Sequence, residues 1–101
     1  MEKGSNIAWM DMLIGMLDRM ATDSRLTVWH IGIMIAIADI SYHDEGKNPV
    51  AITRKLVMQL AHVRSLATYH KCIRQLEEYG YIKYKPSYNY YDGTKVTLNY
   101  I

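Results

Sequence analysis

The stretch Ser65 to Gly80, SLATYHKCIRQLEEYG, constrains the fold more than any other part of the chain. Ser65 is a residue type that caps the free amides of a helix N-terminus, and Gly80 is one that ends a helix in a left-handed turn. Between them Leu66, Tyr69, Cys72, Ile73 and Leu76 recur at three- and four-residue spacing and therefore share one face. The spacing predicts a helix that buries this face and presents Ala67, Lys71, Arg74 and Glu78 on the other, flanked by Thr68 and His70. Such a side is either an ordinary solvated face or one that a partner meets.

The rest of the chain reads as support for this helix. Asn6 can cap a first helix in which Ile7, Met10, Leu13, Ile14, Leu17 and Met20 keep helical spacing, ending near Ala21. The segment TDSR makes a joint, and a second helix is expected from Leu26 to about Tyr42, with Thr27 as its cap. That helix is apolar nearly all round, which places it at the centre of a core or beneath a second covering element. HDEGKNP reads as a surface loop, and Val50 to Ile52 as a short extended piece. Thr53 then caps a third helix through Ala61, whose inner face is expected to be Ile52, Leu56 and Leu60. His62 to Arg64 turns tightly into the Ser65 helix, with Val63 as a buried plug. After Gly80, residues 81–85 and 96–100 alternate with a period of two around PSYNYYDG, the pattern of a β-hairpin with a long tip.

Length and charge narrow the function. A chain of 101 residues supports one compact domain, and its longest apolar run, Val28 to Ala38, falls short of the roughly 20 residues that cross a bilayer. Neither a membrane span nor a secretory signal is expected. Cys72 is the sole cysteine, so no intramolecular disulfide forms and a cytoplasmic location is the default. Residues 1–48 carry four Lys/Arg against seven Asp/Glu, whereas residues 49–101 carry eight against three. The basic half points to an anionic partner.

Helix, short strand, helix, turn, helix, hairpin is the element order of a winged helix-turn-helix domain. The local sequence resembles that family in two places. Leu76-Glu77-Glu78-Tyr79-Gly80-Tyr81-Ile82 is similar to the junction between recognition helix and wing in winged-helix transcription regulators. Ala67-Thr68-Tyr69-His70-Lys71 looks like their small-Thr-hydrophobic-polar-basic recognition segment. The likeness covers residues 26–101 and extends, by overall look, to small winged-helix proteins of bacterial mobile elements. It implies a mainly α fold with a small β-hairpin wing, an α+β winged helix-turn-helix, preceded by an extra N-terminal helix over residues 1–25.

The expected function is sequence-specific binding of double-stranded DNA, as a regulator of transcription. A helix fits the major groove, where Lys71 and Arg74 can donate to guanine acceptors or to phosphates, Thr68 and His70 can contact either, and Ala67 can touch a thymine methyl. Arg54, Lys55, Arg64 and Ser65 are expected to grip phosphate on the flank, and Lys83, Lys85 and Lys95 to make the wing a second contact. Arg54 and Lys55 occupy the first turn of their helix, where the dipole disfavours cations, so helix stability does not explain them. Ile7, Met10, Ile14 and Leu17 form an apolar stripe expected to join two copies in a homodimer. Tyr88, Tyr90 and Tyr91 at the hairpin tip can pack back on the domain, pair with another subunit or lie along a nucleic-acid backbone.

Other chemistry finds little support. His70 and Cys72 point apart on a helix, and His30, His43 and His62 share no metal-ligand spacing with them, so no metal or cofactor is expected. Asp39 and His43 lie one helical turn apart without a nucleophile motif, which reads as a helix-end contact and not as an enzyme. Two rival functions stay open: an accessory or architectural DNA-binding factor for excision, transfer or replication of a mobile element, and a winged helix that binds only protein.

Overall fold

The chain runs α1 (Lys3–Ala21), α2 (Val28–His43), β1 (Val50–Ile52), α3 (Arg54–Ala61), α4 (Leu66–Glu78), β2 (Ile82–Lys85) and β3 (Thr94–Leu98). The computed structural model describes residues 3–86 and 93–99, with side chains from Ala8 onward. It is mainly helical with one small antiparallel sheet, an α+β fold in the expected element order.

The apolar character of α2 has a direct structural outcome. Ile33, Met34 and Ile37 are fully buried and Ala36 and Ala38 nearly so, which makes this helix the centre of the core. Its start is fixed by Thr27, whose backbone N–H donates to His30 Nδ1 at 2.8 Å. Leu26 therefore lies outside the helix, its own N–H bonded to the Asp23 carbonyl. Gly32 permits the close approach of α3: a Cβ built there would lie 3.3 Å from the Ala61 carbonyl oxygen. Ser41 is fully buried and donates to the Lys47 carbonyl at 2.6 Å, holding the loop that leads to β1.

Helix α1 begins at Lys3, so Asn6 lies inside it and does not cap it. Met16 and Met20 join the same core as α2, and Trp9, Leu13 and Leu17 pack against its edge.

The strands are ordered β1-β3-β2. Val50 pairs with Val96, while Ile82, Tyr84 and Lys85 pair with Leu98, Val96 and Lys95. The even positions Ile82, Val96 and Leu98 face the core, as their alternation predicts. Asn48 extends the β1 edge with its side chain, donating Nδ2–H to the Leu98 carbonyl (2.9 Å) and accepting the Leu98 N–H (2.8 Å).

Helices α3 and α4 carry their expected caps: Thr53 Oγ1 accepts from the Leu56 N–H and Ser65 Oγ from the Thr68 N–H, each at 3.2 Å. Between them His62 adopts the left-handed conformation and Val63 is buried. Gly80, at φ +86°, reverses the chain after α4, and the Tyr81 N–H bonds back to the Leu76 carbonyl at 2.9 Å. Tyr69, Cys72, Ile73 and Leu76 are the buried face of α4.

Three leucines depart from the expectation. Leu56 and Leu60 are each 41% exposed, because the eight-residue α3 turns Val57 inward, with Met58 and Ala61 partly covered beside it. Leu66 is 45% exposed, since it stands at the first residue of α4, beyond the reach of the core that Tyr69 closes.

Candidate nucleic-acid interface

The expected contact residues fall on α3, the turn after it, α4 and the sheet, where Lys83 and Lys85 lie on β2 and Lys95 on β3. Arg54 and Lys55 open α3, Arg64 and Ser65 lie in the turn, and Ala67, His70, Lys71 and Arg74 lie on α4, all of them exposed. Thr68 is half-buried, so of the α4 polar groups it is the least available. Ser65 Oγ is engaged as the acceptor of the cap, which leaves its O–H free to donate outward. His70 lies edge-on to the buried Tyr69, with ring centroids 5.5 Å apart, and its position is thereby tied to the core.

Tyr69 marks where these elements converge. Burial raises its hydroxyl to a pKa of about 12, with a further upward push from Tyr84 on β2 and a downward one from Arg54 on α3. The Tyr69 ring on α4 is thus within electrostatic range of Arg54 at the start of α3 and of Tyr84 on β2. A second tie joins α4 to the sheet: Glu77 Oε2 accepts the Tyr84 N–H at 3.0 Å. That bond links α4 to the strand that carries Lys83 and Lys85.

The electrostatics are one-sided. Arg54, Lys55, Arg64, Lys71, Arg74, Lys83, Lys85 and Lys95 form no ion pair with any described residue; among the described residues, Arg25 pairs with Asp23, His43 with Asp39 and Lys47 with Asp44. Lys85 and Lys95 are direct cross-strand partners, a like-charge arrangement that destabilises a sheet. Glu77 and Glu78 close the far end of α4, so the cationic character belongs to its first two-thirds. Burial pushes the Cys72 thiol up, and its place in the core makes it a packing residue.

A second cluster, invisible as a motif in the sequence, joins the α1–α2 linker to the exit of α4. Arg25 grips Asp23 through Nη2 (2.7 Å) and Nε (2.9 Å) while lying over the Tyr79 ring at 4.1 Å. Tyr81 donates its hydroxyl to Asp23 at 2.8 Å, and Arg19 lies over the Tyr81 ring at 4.3 Å while donating to the Asn99 carbonyl. The Arg25 hydrogen bonds hold the Asp23 carboxyl far below the usual range, against the opposing effect of burial, with the Tyr81 hydroxyl adding to the lowering. These residues line an open cleft of about 420 Å³.

Of the expected dimer stripe, Met10 and Ile14 are more than half exposed, whereas Leu17 packs against the core edge. The side chain of Ile7 lies outside the described residues. Met10 and Ile14 border a groove of about 310 Å³ shared with Trp9, Leu13, Asp39, Tyr42 and His43. Asp39 and His43 make the expected helix-end contact at 3.4 Å. Trp9 stacks obliquely on Tyr42, and its buried Nε1–H meets no acceptor among the described residues.

Tyr88, Tyr90 and Tyr91 lie outside the described residues. Among those described, no group of three or more His, Cys, Asp or Glu is placed to hold a metal ion, and no helix is long and apolar enough to cross a membrane. Comparison with protein-family models, with curated proteins and with solved structures finds no match to this chain.

Proposed function

We propose that this protein is a winged helix-turn-helix that binds double-stranded DNA, placing α4 in the major groove and the β2–β3 hairpin against the flanking backbone, and that it regulates transcription as a cytoplasmic homodimer. The observation that carries this reading is the set of eight exposed cations on α3, the turn, α4 and the sheet, none paired with a described carboxylate. A polyanion offsets both that unpaired charge and the Lys85–Lys95 repulsion. Lys71 and Arg74 present donors of the kind that read guanine, and Arg54, Lys55, Arg64, Lys83, Lys85 and Lys95 neutralise phosphate.

The apolar groove beside α1 supports the homodimer. Met10 and Ile14 are exposed there, beside the partly buried Trp9 and Leu13. The same exposed apolar surface, with Val28, Trp29 and Ile35 on α2, also favours a winged helix that binds only protein. An accessory factor for a mobile element would use the same DNA surface, and the genes flanking its own would set it apart from a regulator.

Selection of bound sequences from a random duplex library tests the proposal. Enrichment of one motif is expected, with an affinity whose salt slope gains about −0.9 for each phosphate contacted. In that motif Arg74→Ala should flatten discrimination at one base pair, while Lys85→Ala should weaken preferred and random duplexes alike. No measurable binding to any duplex at low salt would leave the protein-only reading in place.

A further inference from the structure

On the basis of duplex binding by α4, we propose that Leu66 and Ala67 read the C5-methyl group of thymine, so that the preferred site carries a thymine beneath the N-terminus of this helix.

Leu66 is the first residue of α4 and is 45% exposed, although its spacing from Tyr69 and Ile73 puts it in line with the buried face. The remaining apolar residues of that face, Tyr69, Cys72, Ile73 and Leu76, are at most 6% exposed. A lone surface leucine is unremarkable in itself. This one stands where a groove-bound helix meets base edges, because helix-turn-helix readers approach the bases with the N-terminal residues of the second helix.

Chemistry then narrows the target. Neither Leu66 nor Ala67 has a side-chain donor or acceptor, so neither satisfies the polar edges of guanine, cytosine or adenine. The major groove floor presents one apolar group, the thymine methyl. A polar base edge covered by Leu66 would lose its water without gaining a hydrogen bond, so the same side chain that favours thymine disfavours the other bases. Arg64 in the turn and Lys71 one turn further along α4 are exposed on either side in sequence, and phosphate or guanine contacts made by them would hold the leucine over the groove floor.

Deoxyuridine lacks only the methyl group and tests this directly. In a duplex selected by the intact protein, each thymine is replaced in turn by deoxyuridine. At one or two positions the affinity of the wild-type protein should fall roughly three- to fivefold, the effect of removing one buried methyl. Leu66→Ala should reduce that thymine-over-uracil ratio at the same position, leaving only what Ala67 contributes, with the helical circular dichroism unchanged, and Leu66→Met should keep it. Equal affinity for thymine and uracil at every position overturns the proposal while leaving duplex binding standing. A thymine preference that persists undiminished in Leu66→Ala also overturns it. Absence of binding to any duplex overturns both this proposal and the function on which it rests.

Discussion

His30 Nε2 lies 2.8 Å from Gln75 Oε1, so the first turn of α2 holds the middle of α4 from inside the protein. The direction of the bond follows from the other ring nitrogen. Nδ1 receives the Thr27 N–H and must carry the lone pair, which leaves the proton on Nε2 to be donated to Gln75. Gln75 directly follows Arg74 in α4, and the bond thereby helps to set how far the cationic face is rotated outward.

The pair can be measured. Gln75→Leu strands a donor on a histidine that is only 3% exposed, and should destabilise the fold by about 1–3 kcal/mol in urea unfolding. Combined with His30→Ala, the two losses should fall short of adding by at least about 0.5 kcal/mol. Additive losses would show that the two side chains are neighbours without being coupled.

Acid should release the Asp23 cluster. Its carboxyl is held down in the folded state by Arg25 and Tyr81, so its contribution is fully present above the unfolded-state pKa of about 4 and is lost as pH falls below it. Melting temperature followed from neutral pH downward should decline along this limb. Asp23→Asn should melt lower at neutral pH and show a flatter acid limb, and Tyr81→Phe should reproduce part of the effect. An unchanged acid limb in Asp23→Asn would assign the decline to other carboxylates.

Lys85→Thr should change stability and binding in opposite directions. Removing one member of the Lys85–Lys95 pair relieves a repulsion worth about 0.2–1 kcal/mol and places a β-branched residue in the strand. Unfolding should therefore shift to higher denaturant while duplex affinity falls and its salt slope becomes shallower. A variant that both melts higher and binds as well as the wild type would remove the sheet from the DNA surface.

The α1 groove is tested by charge. Met10→Asp with Ile14→Asp places two carboxylates on side chains that are already more than half exposed, so the monomer fold should survive. Light scattering at tens of micromolar protein should show a dimer for the wild type and a monomer for the double variant. An oligomeric state that does not respond to the change would place subunit contacts elsewhere.

The elements were legible in the sequence because their signals are local. Thr53, Ser65, Val63 and Gly80 each act within a few residues, and period-two alternation at Ile82, Val96 and Leu98 needs only a strand and one wet side. Leu56, Leu60 and Leu66 misled because periodicity tells which residues align, not how far along a helix the covering layer extends. The His30–Gln75 bond spans 45 positions, and Asp23 meets Tyr81 across 58, so neither could be read from spacing. A hint was present at Thr27 and His30, whose three-residue offset is that of a capping box with histidine in the place of glutamate.

If the protein binds duplex DNA as the proposed dimer, the Asp23–Arg25–Tyr81 clamp sets how its two reading helices are spaced. It fastens the linker that follows α1 to the exit of α4, with the Arg25 guanidinium seated on Tyr79 and Tyr81 bonded to Asp23. In a dimer joined through α1, the two α4 helices are then separated by a stiff span and not by a slack tether. A stiff span senses helical phase: half-sites one turn apart, about 10–10.5 base pairs, face the same side of the duplex. About five added base pairs swing one half-site to the far side, where a tether could follow and this clamp cannot.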